Sequence, residues 1–339
     1  MWRSGSRRPT SADLARGWLA GVALAGLLAA GCSPRAPETV AAAALAPARP
    51  ASGEFSVMTY NLRLYGNEDR DGGGKDDDPK PEAERSAIIE VLATARPDVL
   101  AVQEMGAPEF FASFREELKG RGLAYPHVEY LHRGRRQANL ALLSRFPIVE
   151  RNPHTNDLYR IGPAQVPVAR GFLDVTIQVN PAYKCRILVA HLKSKVFHQL
   201  GQTEMRRNEA RLLNNHVRAA LKEQPDLNLV VLGDFNDTPS SAALHEVKGE
   251  RTVYLEDVRP ADPFGDAWTH FTAAWDEYER LDYILVSRGM KPELVRAKTT
   301  AIRHPLMLQA SDHRPLMAVF KAVDERAATN SVPTAGGGG

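Results

Sequence analysis

The apolar positions of this chain change period many times between residues 55 and 320. From Phe55 to Tyr60 they alternate with polar ones in a β-rich run, which predicts a strand ending at Asn61. Pro81 opens a helix with Ile88, Ile89 and Leu92 on one face. Asp98 to Val102 is a short continuous apolar run leading to Gln103 and Glu104, the signature of a strand buried on both faces. Pro108 to Lys119 predicts a second helix. Leu140 to Leu143, Leu173 to Val179 and Cys185 to Ala190 predict strands, the last delivering His191 at its end. Glu204 to Lys222 reads as a long helix, with Leu213, Val217 and Leu221 on one side and Arg207, Arg211, Arg218 and Lys222 on another. Leu227 to Leu232 is an apolar strand running into Gly233, Asp234, Phe235 and Asn236. Leu281 to Val286 and Leu316 to Phe320 are the last two strands. Strands outnumber what a doubly wound sheet needs, so the expected architecture is a two-sheet α/β sandwich.

The two ends follow other rules. Basic residues come first, then an apolar, small-residue run from Trp18 to Ala30, then Gly31 and Cys32. That order predicts a signal peptide over residues 1–31. The run is short for a membrane span. Leu27 to Cys32 resembles the lipidation site of bacterial lipoproteins, with Ala29 where leucine is commonest, so Cys32 is the expected lipidated residue. The alternative is an ordinary cleaved signal or an uncleaved anchor. Residues 32–53 then form an Ala/Pro-rich tether, 54–322 the folded domain and 323–339 a polar tail ending in four glycines, expected to be disordered. The expected location is the cell envelope, membrane-anchored and facing the periplasm or exterior, and a monomer is the expected state. Removing residues 1–31, with Arg3, Arg7, Arg8, Arg16 and Asp13, takes the formal charge from +2 to about −1. No global basic field is left to hold a polyanion, so such a site must be local. Only Cys32 and Cys185 are present, and Cys185 falls in an apolar strand as a buried small hydrophobe.

The chemistry-bearing residues gather at predicted strand ends. Ser311, Asp312, His313, Arg314 and Pro315 precede the final strand, and Asp234 with Asn236 follow an earlier one. A histidine near a carboxylate can exchange a proton near neutral pH. Carboxylate and amide oxygens suit a hard cation or an oriented water. Together they are equipped for metal-assisted hydrolysis of a phosphate ester. The acidic, glycine-rich stretch from Gly66 to Lys80 reads as a solvated loop, a secondary calcium site being the sharper alternative. His198, His216, His245, His270 and His304 lack such context and read as structural. Trp268 and Trp275 would stack on a base, dip into lipid or pack in the core.

Asn61, Glu104, His191, Asp234, Asn236, Asp282 and Ser311 to Pro315, in this order, resemble the endonuclease/exonuclease/phosphatase superfamily over about Phe55 to Phe320. It includes pancreatic-type deoxyribonuclease, exonuclease III-type repair enzymes, neutral sphingomyelinases and inositol-polyphosphate phosphatases. The resemblance implies a four-layered α-β-β-α sandwich with two mixed sheets and a magnesium-dependent site at their top, manganese being an alternative. It implies Glu104 as the principal metal ligand, helped by Asn61 and Asp312. Asp234 would orient or deprotonate water, Asn236 would donate to a phosphate oxygen, and His313 would act with Asp282 as its orienting carboxylate. His191 resembles the histidine that stabilises charge on the phosphoryl oxygens. Lys193, Lys195, Arg206, Arg207 and Arg211 would supply a local phosphate-binding face, and Arg170 and Asn139 would contact substrate.

Fold and site are shared by several activities. A surface-tethered nuclease or general phosphodiesterase is the first expectation. A sphingomyelinase-type phospholipid hydrolase or a phosphomonoesterase is the second, favoured by the tether. A non-catalytic binding module is the third, disfavoured by the full set of motifs. The substrate is accordingly expected to be nucleic acid or phospholipid, met at a membrane reached through the lipid anchor.

Overall fold

A computed structural model describes residues 51–133, 138–250 and 253–325. The expectations for the signal peptide, Cys32 and nearly all of the tether and tail lie outside the described residues. In chain order the principal strands are β1 (Glu54–Tyr65), β2 (Val99–Met105), β3 (His127–Leu131), β4 (Asn139–Ser144), β5 (Ile148–Arg151), β6 (Phe172–Asn180), β7 (Tyr183–His191), β8 (Leu229–Asp234), β9 (Glu256–Asp257), β10 (Asp282–Val286), β11 (Thr300–Ala301) and β12 (Leu316–Lys321). They form two six-stranded sheets, ordered β11-β12-β1-β2-β4-β3 and β9-β10-β8-β7-β6-β5. The β1–β2 and β7–β8 pairs are parallel and their other neighbours antiparallel, so both sheets are mixed.

Burial on both faces explains the continuous apolar runs. In β1, Phe55 and Val57 face the second sheet, where they meet Val175, Ile187, Val189, Val230, Leu232 and Ile284 in a central core. Met58, Tyr60 and Leu62 face outward against helices α1 (Glu82–Ala95) and α2 (Pro108–Gly120), through Ile88, Leu92, Phe114 and Leu118. On the far side, Leu188 and Val231 pack under helix α3 (Gln202–Glu223) and helix α4 (Ala242–Lys248), through Leu213, Val217 and Leu244. The layers are therefore helix, sheet, sheet, helix. Each fully buried Leu, Ile, Val or Phe contributes roughly 1.5–3 kcal/mol, so the three apolar layers dominate stability.

The structure departs from the sequence reading at the edges. Strands β3 and β5 were not legible, because half-exposed edge strands carry a weak apolar signal. Strand β1 runs four residues beyond Asn61, through an irregularity in its pairing with β2.

The topology sends the chemistry to one end. Parallel pairing brings the C-terminal ends of β1 and β2 together, and likewise those of β7 and β8. The register aligns His191 with Asp234, and Asp234 with Asp282 at the start of antiparallel β10. Gly233 makes that register possible. It has φ +136°, and a Cβ there would lie 1.9 Å from the Ala190 carbonyl oxygen.

Candidate active site

At the top of the first sheet, β1 and β2 fall out of step. Asn61 pairs with Gln103 and Tyr65 with Met105, so Leu62, Arg63 and Leu64 stand opposite Glu104 alone. Arg63, Leu64 and Glu104 all take left-handed backbone, with φ of 49°, 50° and 60°. Each such non-glycine residue costs roughly 1–3 kcal/mol and persists only where its surroundings hold it. What the irregularity achieves is aim. The Leu64 N–H donates to Glu104 Oε2 at 2.9 Å, and the Arg63 N–H donates to Asn61 Oδ1 at 3.0 Å.

Asn61 then joins the two sheets. Its Nδ2 donates to Glu104 Oε1 at 3.2 Å and to Asp234 Oδ2 at 3.0 Å. Its oxygen accepts one backbone N–H and keeps a second lone pair, while its amide orients two carboxylates. Asn236, also left-handed at φ 53°, turns its own N–H onto Asp234 Oδ1 at 2.8 Å. Its Nδ2 reaches the Leu192 carbonyl at 3.0 Å and Asp234 Oδ2 at 3.3 Å. Asp234 is thus a buried carboxylate held on both oxygens. Burial, and then the neighbouring charge of Asp282, push its pKa up to about 7.

His313 stands on the other flank. Its Nδ1 lies 2.8 Å from Asp282 Oδ2 and its Nε2 lies 3.9 Å from Asp234 Oδ2. Burial alone would lower its proton affinity, but Asp282 and Asp234 outweigh that and raise its pKa to about 10. The imidazole is therefore a cation at neutral pH, with Nδ1–H donated to Asp282. The dyad is braced from behind. Ser311 Oγ donates to the Asn61 carbonyl at 2.9 Å and accepts from the His313 N–H at 3.1 Å. Thr269 Oγ1 accepts from the N–H groups of Leu281 and Asp282.

His191 is buried beneath the two carboxylates, with Nε2 3.4 Å from Asp234 Oδ2 and 3.8 Å from Glu104 Oε1. Burial first, then the charges of Arg170, His313 and Lys193, hold its pKa well below the ordinary value. A neutral imidazole keeps one N–H to donate, so a role in stabilising charge on a phosphoryl oxygen needs no imidazolium here.

The donor chemistry suits a hard divalent cation. Glu104, Asp234 and Asp282 converge with a single imidazolium among them, leaving excess negative charge in a low-dielectric cleft. Glu104 is the carboxylate of the three that keeps some exposure, at 20% of its side chain. Asp312 lies on the His313 side, 3.6 Å from Arg63 Nε and 3.9 Å from His270 Nε2. His270, Asp312 and His313 bring their ligand atoms within 4.8 Å of one another, as do Asp234, Asp282 and His313.

The residues expected at the substrate make these contacts within the protein. Asn139 is buried, and its Nδ2 donates to the carbonyls of Met105 and Gly106, so it secures the turn after Glu104. Arg206 is also buried, donating to Asp237 and the Lys193 carbonyl, and Arg207 pairs with Glu246. Lys195 pairs with Glu279, and the Lys193 ammonium binds the carbonyls of Ser194 and Val196. Arg170 donates to the Leu192 carbonyl, close to His191. What the sequence reading missed is on the opposite flank. Arg63 and His270 line a cavity of about 420 Å³ beside Asp312, with Phe271, Thr272 and Leu308. The ring centroid of His270 lies 4.6 Å from that of His313, through an isolated β-bridge between the two residues. No local spacing rule announces that contact. Only the antiparallel bridge between these residues, far apart in the chain, reveals it.

Among solved structures, the human Nocturnin catalytic domain with bound sulfate matches at 19% identity and TM-score 0.56, over 80% of this chain and 95% of that one. Truncated Caenorhabditis elegans TDP2 matches at 16% identity and TM-score 0.54, over 80% and 98%. Staphylococcus aureus beta toxin matches at 15% identity and TM-score 0.56, over 78% and 99%. These likenesses establish the fold. No curated protein matches the chain by sequence. The family model of the Endonuclease/Exonuclease/phosphatase family matches residues 58–313, from the middle of β1 to the dyad histidine itself. With that span matched and the strand-end carboxylates, amides and histidine assembled, the chain belongs to the Endonuclease/Exonuclease/phosphatase family and is an enzyme of its phosphoester-cleaving type.

Proposed function

We propose that this protein is a divalent-cation-dependent phosphodiesterase of nuclease-like type, with magnesium as the first candidate ion and manganese the second. The observation that carries the reading is the separation of roles around one point. Asp234 is a carboxylate near its own titration at neutral pH, and His313 beside it is a fixed cation. Asp234 takes a proton from water as the water oxygen attacks phosphorus. The bond to the leaving oxygen breaks on the opposite side. His313 Nε2–H donates to the non-bridging oxygens as charge builds, and the Asn236 amide joins it by exchanging its longer bond, 3.3 Å to Asp234 Oδ2, for a phosphate oxygen. A cation held by Glu104, with Asp312 close to the cleft, would neutralise phosphate oxygens and the departing alkoxide. Each of the acid–base and electrostatic contributions is expected at roughly 10²–10⁴-fold.

A lipid phosphodiester is the second reading. Val196, Phe197 and Trp275 are 70%, 83% and 77% exposed, and the Lys195–Glu279 ion pair links their two loops at the rim of the site. The deciding experiment assays DNA, RNA, sphingomyelin and bis-nitrophenyl phosphate side by side, with magnesium and after exhaustive chelation. Turnover of nucleic acid that chelation abolishes is the expected result. Glu104→Gln should reduce turnover at least 100-fold and shift the metal titration to higher concentration. Full activity without metal sinks the proposal, and sphingomyelin as the one good substrate replaces it with the second reading.

We also propose that Cys32 is lipidated and tethers the domain to an envelope membrane, from the residues around it. The wild-type chain is expected in the membrane fraction and Cys32→Ser in the soluble one. A Cys32→Ser protein still fully membrane-bound would refute lipid anchorage.

A further inference from the structure

Lys80 is a fully buried cation that the chemistry above does not use. Its side chain is 0% exposed, at the approach to α1 and behind the irregular end of β1. Burying an ammonium is costly, and a lysine is kept there only by partners that repay the lost hydration. Lys80 has two. Its Nζ donates to the Arg63 carbonyl at 2.9 Å and pairs with Glu84 Oε2 at 2.9 Å. Its backbone N–H also donates to the Gly66 carbonyl at 2.9 Å, fixing the approach to the helix against the same turn.

Arg63 is the first of the two left-handed residues opposite Glu104. The peptide whose oxygen Lys80 grips is the one whose nitrogen belongs to Leu64. That N–H is the donor to Glu104 Oε2. One planar peptide unit thus has an ammonium on its oxygen and the candidate metal-binding carboxylate on its nitrogen. Because the unit is rigid, fixing the oxygen fixes the direction of the N–H. A charged donor on the carbonyl also polarises the amide and strengthens the bond it gives. The strained pair has no glycine to relax it, so it needs such an external clamp.

We infer that Lys80 is a positioning residue for the cation site: through the Arg63–Leu64 peptide it holds Glu104 in the orientation that binds the metal. The inference rests on the reading of Glu104 as a metal ligand, and the test separates the two. Mn²⁺ binding to the full chain is measured by calorimetry without substrate, in the wild type, Glu104→Gln, Lys80→Met and Glu84→Gln. Lys80→Met keeps the stem and removes the charge and donors. Its Mn²⁺ Kd is expected to rise about tenfold, with kcat at saturating metal falling by a similar factor and substrate KM little changed. Glu84→Gln keeps the grip on the Arg63 carbonyl and should bind Mn²⁺ as the wild type does. A folded Lys80→Met with wild-type Mn²⁺ affinity and only a lower Tm makes Lys80 a structural staple and overturns the inference. Weakening by Glu84→Gln equal to that by Lys80→Met overturns it also. Should Lys80→Met not fold, Lys80→Arg carries the test: Mn²⁺ affinity within about threefold of wild type supports the inference, and a loss beyond tenfold in the folded variant overturns it. Glu104→Gln binding Mn²⁺ like the wild type would instead remove the reading of Glu104 on which the inference stands.

Discussion

Asp234→Asn should lower kcat by roughly 10³-fold with little change in KM, because it keeps the shape of the side chain and removes its ability to accept a proton. Asp234 accepts hydrogen bonds from Asn61 and from the Asn236 N–H and amide, and His191 and His313 flank it. The rate of the wild type should rise with pH through the titration of this carboxyl, and that acid limb should vanish in the variant. Stability should move the other way. A carboxyl whose folded pKa is raised binds more protons folded than unfolded between about pH 4, its unfolded value, and its folded value near 7. Metal-free protein therefore loses stability as pH rises through that window, since a buried carboxylate must then carry its charge. Asparagine carries no such penalty. Metal-free Asp234→Asn should accordingly melt no lower than the wild type at pH 8 while being nearly inactive. Less than a tenfold loss of kcat, or an unchanged acid limb, would show that another group takes the proton.

How much of this was legible beforehand depends on the kind of contact. Asp234, Asn236 and His191 end or adjoin neighbouring apolar strands of the second sheet, so their convergence follows from local pattern and topology, while His313, before β12 of the first sheet, meets them across the sandwich. The hydrogen bonds that Asn61 and Asn139 make did not follow. Both are asparagines beside buried strands, yet one bridges carboxylates and the other binds two carbonyls behind the site. Which of these happens is fixed by backbone direction over one or two residues, and the bulge at Arg63 and Leu64 that sets it has no glycine to announce it. Basic residues misled for a related reason. Spacing on a helix tells which side Arg206 and Arg207 occupy, but not that Asp237 and Glu246 wait there to neutralise them. His270, set aside as structural, meets His313 only because the segment carrying it returns along the residues before β12.

The dyad gives the second large effect. His313→Ala and Asp282→Asn should each lower kcat/KM by roughly 10²–10⁴-fold, and the double variant should fall no more than about tenfold below the worse single one. The reason is electrostatic. Asp282 is 1% exposed, its Oδ2 holds His313 Nδ1 at 2.8 Å, and its Oδ1 is buried without a hydrogen bond among the described residues. The carboxylate thus has one principal task, to keep the buried imidazole charged and its Nε2–H turned to the substrate. Without it, burial lowers the proton affinity of His313, and the cation that should meet the phosphoryl oxygens is lost although the ring remains. Without the ring, the carboxylate has nothing to act on. In the wild type the histidine pKa stands near 10, so activity should persist through neutral pH and fall only as pH approaches that value. In Asp282→Asn the alkaline limb should move down by several units, toward or below the ordinary histidine range near 6.5. Multiplicative losses in the cycle, or an Asp282→Asn protein with near-normal turnover and an unmoved alkaline limb, would mean that Asp282 merely fills a buried position. Asp234 would then have to support the imidazolium alone from 3.9 Å.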